Sequence, residues 1–207
     1  MVCKLTFPGG GRVTAHAWRW CDTMVGMKAE KFKEYIQLRR AVRIRPKHAT
    51  DQTLHGFPLV LSDNFVVLQE IREFHLDGYA IVPLKSIYAV RSGPVERAIE
   101  RVLQGEGIYD KVSLPYALNL DSFADVFRSL QQTGKNIIIE VLEFERQYIN
   151  EDFVIGKIVG MSPRSVAILN FDDTGICDIE PTVISYKNIK WISFDSEYIN
   201  LFSKYLR

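Results

Sequence analysis

Short runs of valine, isoleucine and phenylalanine, broken by turn residues, fill most of the chain and fall into two sets of five. Such runs predict β-strands. The first set places strands near 41–46, 56–61, 64–71, 79–84 and 87–91. The second places them near 136–143, 153–161, 165–171, 177–185 and 188–194. Ser62-Asp63-Asn64 and Ser162-Pro163-Arg164 fit tight turns, and Asp77-Gly78 is the strongest short hairpin signal. Helical spacing brackets each set. Phe32, Tyr35 and Ile36 share one face of a helix near 28–40, and Phe123, Val126, Phe127 and Leu130 share one face of a helix at 121–133. Asp121 or Ser122 can cap the latter and Gly134 can end it. After the strands come "SGPVERAIERVLQG" and "DSEYINLFSKYLR". Val95, Ala98, Ile99, Val102 and Leu103 form the apolar stripe of one. Tyr198, Leu201, Phe202, Tyr205 and Leu206 form that of the other. Both stripes are expected to lie as lids over the strands, because five short strands cannot bury a core alone.

The two sets also match residue by residue. Gly56, Ser62, Val66 and Leu68 align with Gly156, Ser162, Val166 and Ile168 at an offset of 100. Lys85 and Ile87 align with Lys187 and Ile189 at an offset of 102. The two extra residues fall near "NFDDTGICDIEP", where a surface loop tolerates insertion. A shared order of turns and apolar positions is how an old internal duplication looks. The expected fold is therefore α+β, mainly β with flanking helices, as two tandem five-stranded small barrels. Residues 28–107 make the first repeat, and 108–207 make a linker and the second. Residues 1–27 are read as an N-terminal extension. They hold two of the three cysteines and two of the three tryptophans and show no sustained period. Either they form a poorly ordered arm or Met27 is the true start. Gly9-Gly10-Gly11-Arg12 lacks the Gly-Lys-(Ser/Thr) ending of a phosphate loop and reads as a flexible turn.

Composition narrows the function classes. The 207 residues carry a net charge of +1, so no global field draws the molecule to nucleic acid or a membrane. No apolar run approaches the roughly 18 residues that span a bilayer, and no charged-then-apolar leader opens the chain. The three cysteines share no metal-ligand spacing, so a reduced, cytoplasmic chain is expected. Charge is uneven, however. Residues 28–107 carry 13 basic and 10 acidic side chains, and residues 108–207 carry 10 basic and 14 acidic. The sharpest local feature is "LRRAVRIRPKH". On a strand at 41–46, Val42 and Ile44 point inward while Arg43 and Arg45 share the outer face, flanked by Arg39, Arg40 and Lys47. Its counterpart "NIIIEVLEFE" carries Glu140, Glu143 and Glu145. The ridge suits phosphate binding, acidic–basic docking, or a charged edge that discourages aggregation. The four histidines show no metal-ligand spacing, and no nucleophile elbow, Walker loop or HExxH helix is present.

A helix followed by five short antiparallel strands resembles the Sm-like fold of bacterial Hfq and the Sm proteins, whose apolar skeleton SH3-like barrels share. The resemblance covers roughly 28–94 and 121–194. The second repeat carries Gly156-Lys157-Ile158, the apolar Val166-Ala167-Ile168-Leu169-Asn170, and Tyr186-Lys187-Asn188-Ile189. The first carries Asp63-Asn64-Phe65. In that family the amide-aromatic turn and the lysine motif line a uridine pocket. This implies Asp63, Asn64, Phe65 and Lys85 in one repeat, and Tyr186 and Lys187 in the other, as candidate contacts. The departures are Leu84 in place of tyrosine, Asn188 in place of histidine, and no aromatic in Pro163-Arg164-Ser165. The expected function is a non-enzymatic interaction or scaffold module that self-assembles or binds a protein partner through barrel edges. RNA binding of the Sm type is the alternative. No cofactor and no membrane partner are expected.

Overall fold

The computed structural model describes residues 15–47, 52–144 and 149–207. Cys3 and the Gly9–Arg12 turn lie outside the described residues. The first half contains α1 (Ala15–Gln37), β1 (Val42–Pro46), β2 (Leu54–Leu61), β3 (Phe65–Arg72), β4 (His75–Pro83), β5 (Ile87–Arg91) and α2 (Pro94–Gly105). The second contains α3 (Phe123–Gln132), β6 (Ile137–Phe144), β7 (Ile149–Met161), β8 (Ser165–Asn170), β9 (Thr182–Ser185), β10 (Ile189–Phe194) and α4 (Glu197–Phe202). The protein is mainly β with flanking helices, as its strand and helix spacing predicts. No helix among the described residues is long and apolar enough to cross a membrane.

The ten strands form one open sheet in the order β5-β1-β2-β3-β4-β10-β6-β7-β8-β9, with every neighbour antiparallel. Two separate closed barrels are therefore not what the chain makes. The reason lies at β4. Its outer edge is taken by β10, with Ile81 opposite Ile192, Ala80 opposite Ser193 and Tyr79 opposite Phe194. The first set cannot close on itself once that edge is occupied.

Within this sheet the two halves repeat one register. Val42 faces Gly56 as Ile137 faces Gly156, and Val66 faces Val82 as Val166 faces Ile184. The β2–β3 ladder slips between Pro58 and Val60, and the β7–β8 ladder slips between Ile158 and Gly160. Ile44 faces Val90 as Ile139 faces Ile192. The turns repeat too. Ser62 Oγ accepts from the amides of Asn64 and Phe65, and Ser162 Oγ from those of Arg164 and Ser165. Each opening helix ends on a left-handed residue, Arg39 in one half and Gly134 in the other.

Burial differs between the halves. Val66 and Leu68 of β3 point into a core with Phe32, Val42, Ile44, Val82 and Ile87. Phe65 and Val67 point the other way, into a second core with Val126, Phe127 and Leu130 of α3 and with Ile137, Ile168 and Phe194. Strand β3 is thus covered on both faces and reads as a continuous apolar run. In β8, Val166 and Ile168 are buried while Ser165 and Ala167 are half-buried. The Ser165–Ala167 face of β8 is thus less covered than the matching Phe65–Val67 face of β3.

Four local expectations change. Helix α1 begins at Ala15, so residues 15–27 of the expected extension are helical. The hairpin after β3 turns at Glu73-Phe74, both at positive φ, and Asp77-Gly78 lies inside β4. Gly78, at φ +63°, lies so close to the backbone of Ser196 that a Cβ would meet its nitrogen at 2.5 Å, and Asp77 Oδ1 accepts from the Glu197 amide. The Asp-Gly signal marks a close approach of α4, not a turn. Strand β9 starts at Thr182, since residues 172–176 wrap around the Asp172 carboxylate, which accepts from the amides of Thr174 and Ile176. Finally, α4 buries Ile199, with Phe202 and Leu206 packed beside it, while Tyr198, Leu201 and Tyr205 of the expected stripe face solvent.

Candidate functional site

The alternation expected of the basic ridge holds. Val42 and Ile44 are fully buried, and Arg43 and Arg45 lie on the opposite face. Most of its charge is already engaged. Helix α2 sets Glu96 and Glu100 one turn apart against β1, and both are buried. Glu96 accepts from the Gly93 amide at 2.7 Å and lies 3.3 Å from the Arg43 guanidinium. Glu100 accepts from the Ala41 amide at 2.7 Å and from Arg40 at 2.8 Å. Arg39 stacks over Tyr109, 5.0 Å from its centroid. Two buried carboxylates without these cations would be left charged in a dry site, at several kcal/mol each. Arg40 and Arg43 therefore serve to seat α2. Helix α2 thus turns Glu96, Glu100 and Leu103 inward, while Val95 and Val102 of its expected apolar stripe are exposed. Arg45 remains on the surface, 4.3 Å over the exposed Tyr88 ring. The Lys47 amide donates to Ser86 O at 2.7 Å, tying the end of β1 to the turn before β5.

The nominated turn residues do converge. A cavity of about 820 Å³ opens between α1, the β2–β3 turn, the end of β4 and the start of α3. Asp63, Asn64, Phe65, Lys85 and Tyr186 all line it, together with Lys33 and Phe123. Lys187 is exposed and is not among its lining residues. The chain occupies part of this site itself. Asn64 Nδ2 donates to Asp121 O at 3.0 Å, and Ser62 Oγ donates to Leu120 O at 3.1 Å. Phe123 stacks on Tyr186 at 5.0 Å and meets Phe65 edge-on at 4.9 Å. The Lys85 ammonium sits 5.4 Å over the Phe123 ring. Phe123 and Lys33 carry no local sequence signal for this cavity, because it is built from both halves.

A smaller cleft of about 450 Å³ lies over the β4–β10 junction, lined by Glu70, Asp77, Glu140, Arg72, Ser193 and Trp191 among others. Burial pushes the Glu70 carboxyl up to about 7, helped by the carboxylates of Asp77 and Glu140 and opposed by a hydrogen bond from Ser193 and by Arg72. Ser193 Oγ donates to Glu70 Oε1 at 3.1 Å, so one carboxyl of the first half is held by the second.

The third feature is the pair of sheet ends. Among the described residues, strands β5 and β9 each have a single neighbour strand, β1 and β8. Val183 on β9 is 68% exposed, whereas Ile81, at the matching position of β4, is fully buried in the core that α3 covers, with β10 beside it in the sheet. Ile176 and Ile179, in the loop before β9, are exposed as well. No protein-family model matches this chain, no curated protein matches it, and no solved structure matches it.

Proposed function

We propose that the chain is a tandem of two Sm-like five-stranded units, descended from one duplicated unit, and that it works in the cytoplasm as a non-enzymatic interaction module. Its open strand edges take up a strand, from a second copy or from a protein partner. The observation that carries this reading is the β4–β10 junction, in which one unit's fourth strand is completed by the other unit's fifth. The same two kinds of edge recur at β9 and β5, where no further strand is paired among the described residues. An uncovered edge with an exposed valine invites strand addition. Light scattering over a concentration series is expected to give masses rising above the 23.8 kDa of one chain. Val183→Lys should weaken association at least tenfold, because a lysine in the joined edge meets an apolar strand. A strict monomer throughout the series overturns self-assembly.

The cavity favours a second reading, RNA binding in the Sm manner. It collects five of the nominated residues, Lys85 among them, and adds Lys33, beside an aromatic shelf. Base stacking on such shelves is sequence-tolerant, and phosphate contacts make binding salt-sensitive. On this reading, oligo-U binds at low salt and Lys85→Ala weakens it. Absence of binding in a filter titration at low salt eliminates it.

A further inference from the structure

We propose that the cleft over the β4–β10 junction binds a small linear organic dication, an aliphatic amine or guanidine with a charge at each end. The site is independent of the edge-docking reading, since it lies on the face of the sheet and not at its ends. It exists because the halves join. Leu54, Glu70 and Asp77 reach it from the first half, and Ile138, Glu140 and Trp191 from the second. Its volume of about 450 Å³ falls within the span of small-ligand sites. The cleft is the gap between two covered regions of this face. Leu54 and Trp191 belong to the core that holds Phe32 of α1, and Ile138 packs against the core that holds Ile199 of α4.

Charge sets the sign of the occupant. Three carboxylates, Glu70, Asp77 and Glu140, line the cleft with Arg72. Lys190 is buried and donates to Gln52 on the cleft wall. Arg72 lies 3.6 Å from Asp77 Oδ2 and is mostly exposed, and Asp77 Oδ1 accepts from the Glu197 amide. Glu70 accepts from the Ser193 hydroxyl at 3.1 Å and forms no ion pair among the described residues. It is half-buried, recessed yet open to the cleft. Burial and the nearby carboxylates push its carboxyl up to about 7, as expected of an acid without a close counter-cation. A cation entering the cleft supplies one.

Spacing sets the shape. No three His, Cys, Asp or Glu side chains among the described residues are placed to hold a metal ion. Strands β3 and β6 have β4 and β10 between them, three steps or about 14 Å at the backbone. Carboxylates spread in this way suit a cationic chain better than a point charge, and Leu54, Ile138 and Trp191 supply apolar wall for its aliphatic stem.

Binding is linked to a proton. Glu70 faces Asp77 from β4, Glu140 from β6, Ser193 from β10 and Arg72 from its own strand, and Tyr198 of α4 lines the same cleft. A bound cation favours the carboxylate, so it expels the proton that Glu70 holds. The ionised fraction of a group titrating near 7 rises about tenfold between pH 6 and pH 8, and affinity rises with it.

The test is calorimetric titration of the full chain with agmatine, a short aliphatic chain ending in an ammonium and a guanidinium. Saturable binding with a dissociation constant below about 1 mM is expected at about pH 8, and about tenfold weaker binding at about pH 6. Glu70→Gln keeps the shape and should lose at least tenfold at the higher pH, together with the pH dependence. Glu180→Gln, which changes an exposed acid outside the cleft, should bind as the parent does. A blocked arginine amide imitates a partner protein's side chain with a single charge and should bind at least tenfold more weakly. Absence of saturation at about pH 8 overturns the site. Equal affinity in Glu70→Gln and the parent, or equal affinity at the two pH values, puts agmatine elsewhere on the chain and overturns it as well. An arginine amide as tight as agmatine overturns the small-molecule occupant in favour of a protein side chain.

Discussion

Alanine at Gly156 is expected to cost the protein on the order of 3 kcal/mol, and alanine at Gly56 a similar amount. A Cβ at Gly156 would stand 2.0 Å from the Leu169 carbonyl oxygen, and one at Gly56 would stand 2.3 Å from that of Gln69. In both cases the obstacle is backbone, not the movable end of a side chain. Relief requires the neighbouring strand to retreat by about an ångström or to lose ladder hydrogen bonds. At Gly156 that strand, β8, carries Val166 and Ile168 in the core shared by both halves. A domain of this size holds only about 5–15 kcal/mol in total, so the loss is a large fraction. The thermal midpoint should fall by roughly 6–12 °C. Gly105, at the end of α2, has nothing within 4 Å of its Cβ position and is the control. Alanine there should leave the midpoint unchanged or raise it slightly. If Gly156→Ala melts within about 2 °C of the parent, the close approach is not a constraint on the fold.

Those two glycines were also the first anchors of the repeat in the sequence, and they show what was legible. A glycine forced by a backbone contact leaves a mark in the chain itself. So do the serine turns at Ser62 and Ser162, whose hydroxyls satisfy local amides. Alternation placed Val42 and Ile44 inside correctly, because a half-buried strand has only two faces to choose between. What could not be read was anything that depends on a distant element. The Arg43 face was legible, but its partner Glu96 lies on a helix about fifty residues on. The Asp-Gly pair at 77–78 looked like a hairpin, yet its positive φ serves contact with Ser196. Within β3, Phe65 and Val67 alternate with Val66 and Leu68; the continuous apolar run marks burial on both faces but not which distant elements cover each one. The merging of the halves into one sheet was invisible for the same reason. Edge pairing leaves almost no signature in either strand alone.

Stability should fall as pH rises from about 4.5 through 7, and Glu70 should account for most of the fall. Its carboxyl lies at the cleft over the junction, facing Asp77, Glu140, Arg72 and Ser193. Burial, then the neighbouring carboxylates, raise its pKa from an unfolded value near 4.5 to about 7 in the folded chain. Between those values the folded chain holds a proton that the unfolded chain has released. Stability then decreases with increasing pH, since the folded state binds more protons. The full contribution is present below about pH 4.5 and is gone above about 7. The difference amounts to on the order of 3 kcal/mol at 1.36 kcal/mol per pH unit. Glu70→Gln keeps the shape and can still accept from Ser193, but it cannot ionise. The variant should match the parent at about pH 5 and exceed it at about pH 8.5. Urea midpoints at both values, for both proteins, decide the matter. Equal pH slopes in the two would show that the buried carboxyl does not govern the junction. A variant that is weaker than the parent at high pH would show that the ionised form is the one the cleft prefers. Because Ser193 lies on the strand that completes β4, the same titration should speed amide exchange in β4 and β10 before it reaches β1 and β2.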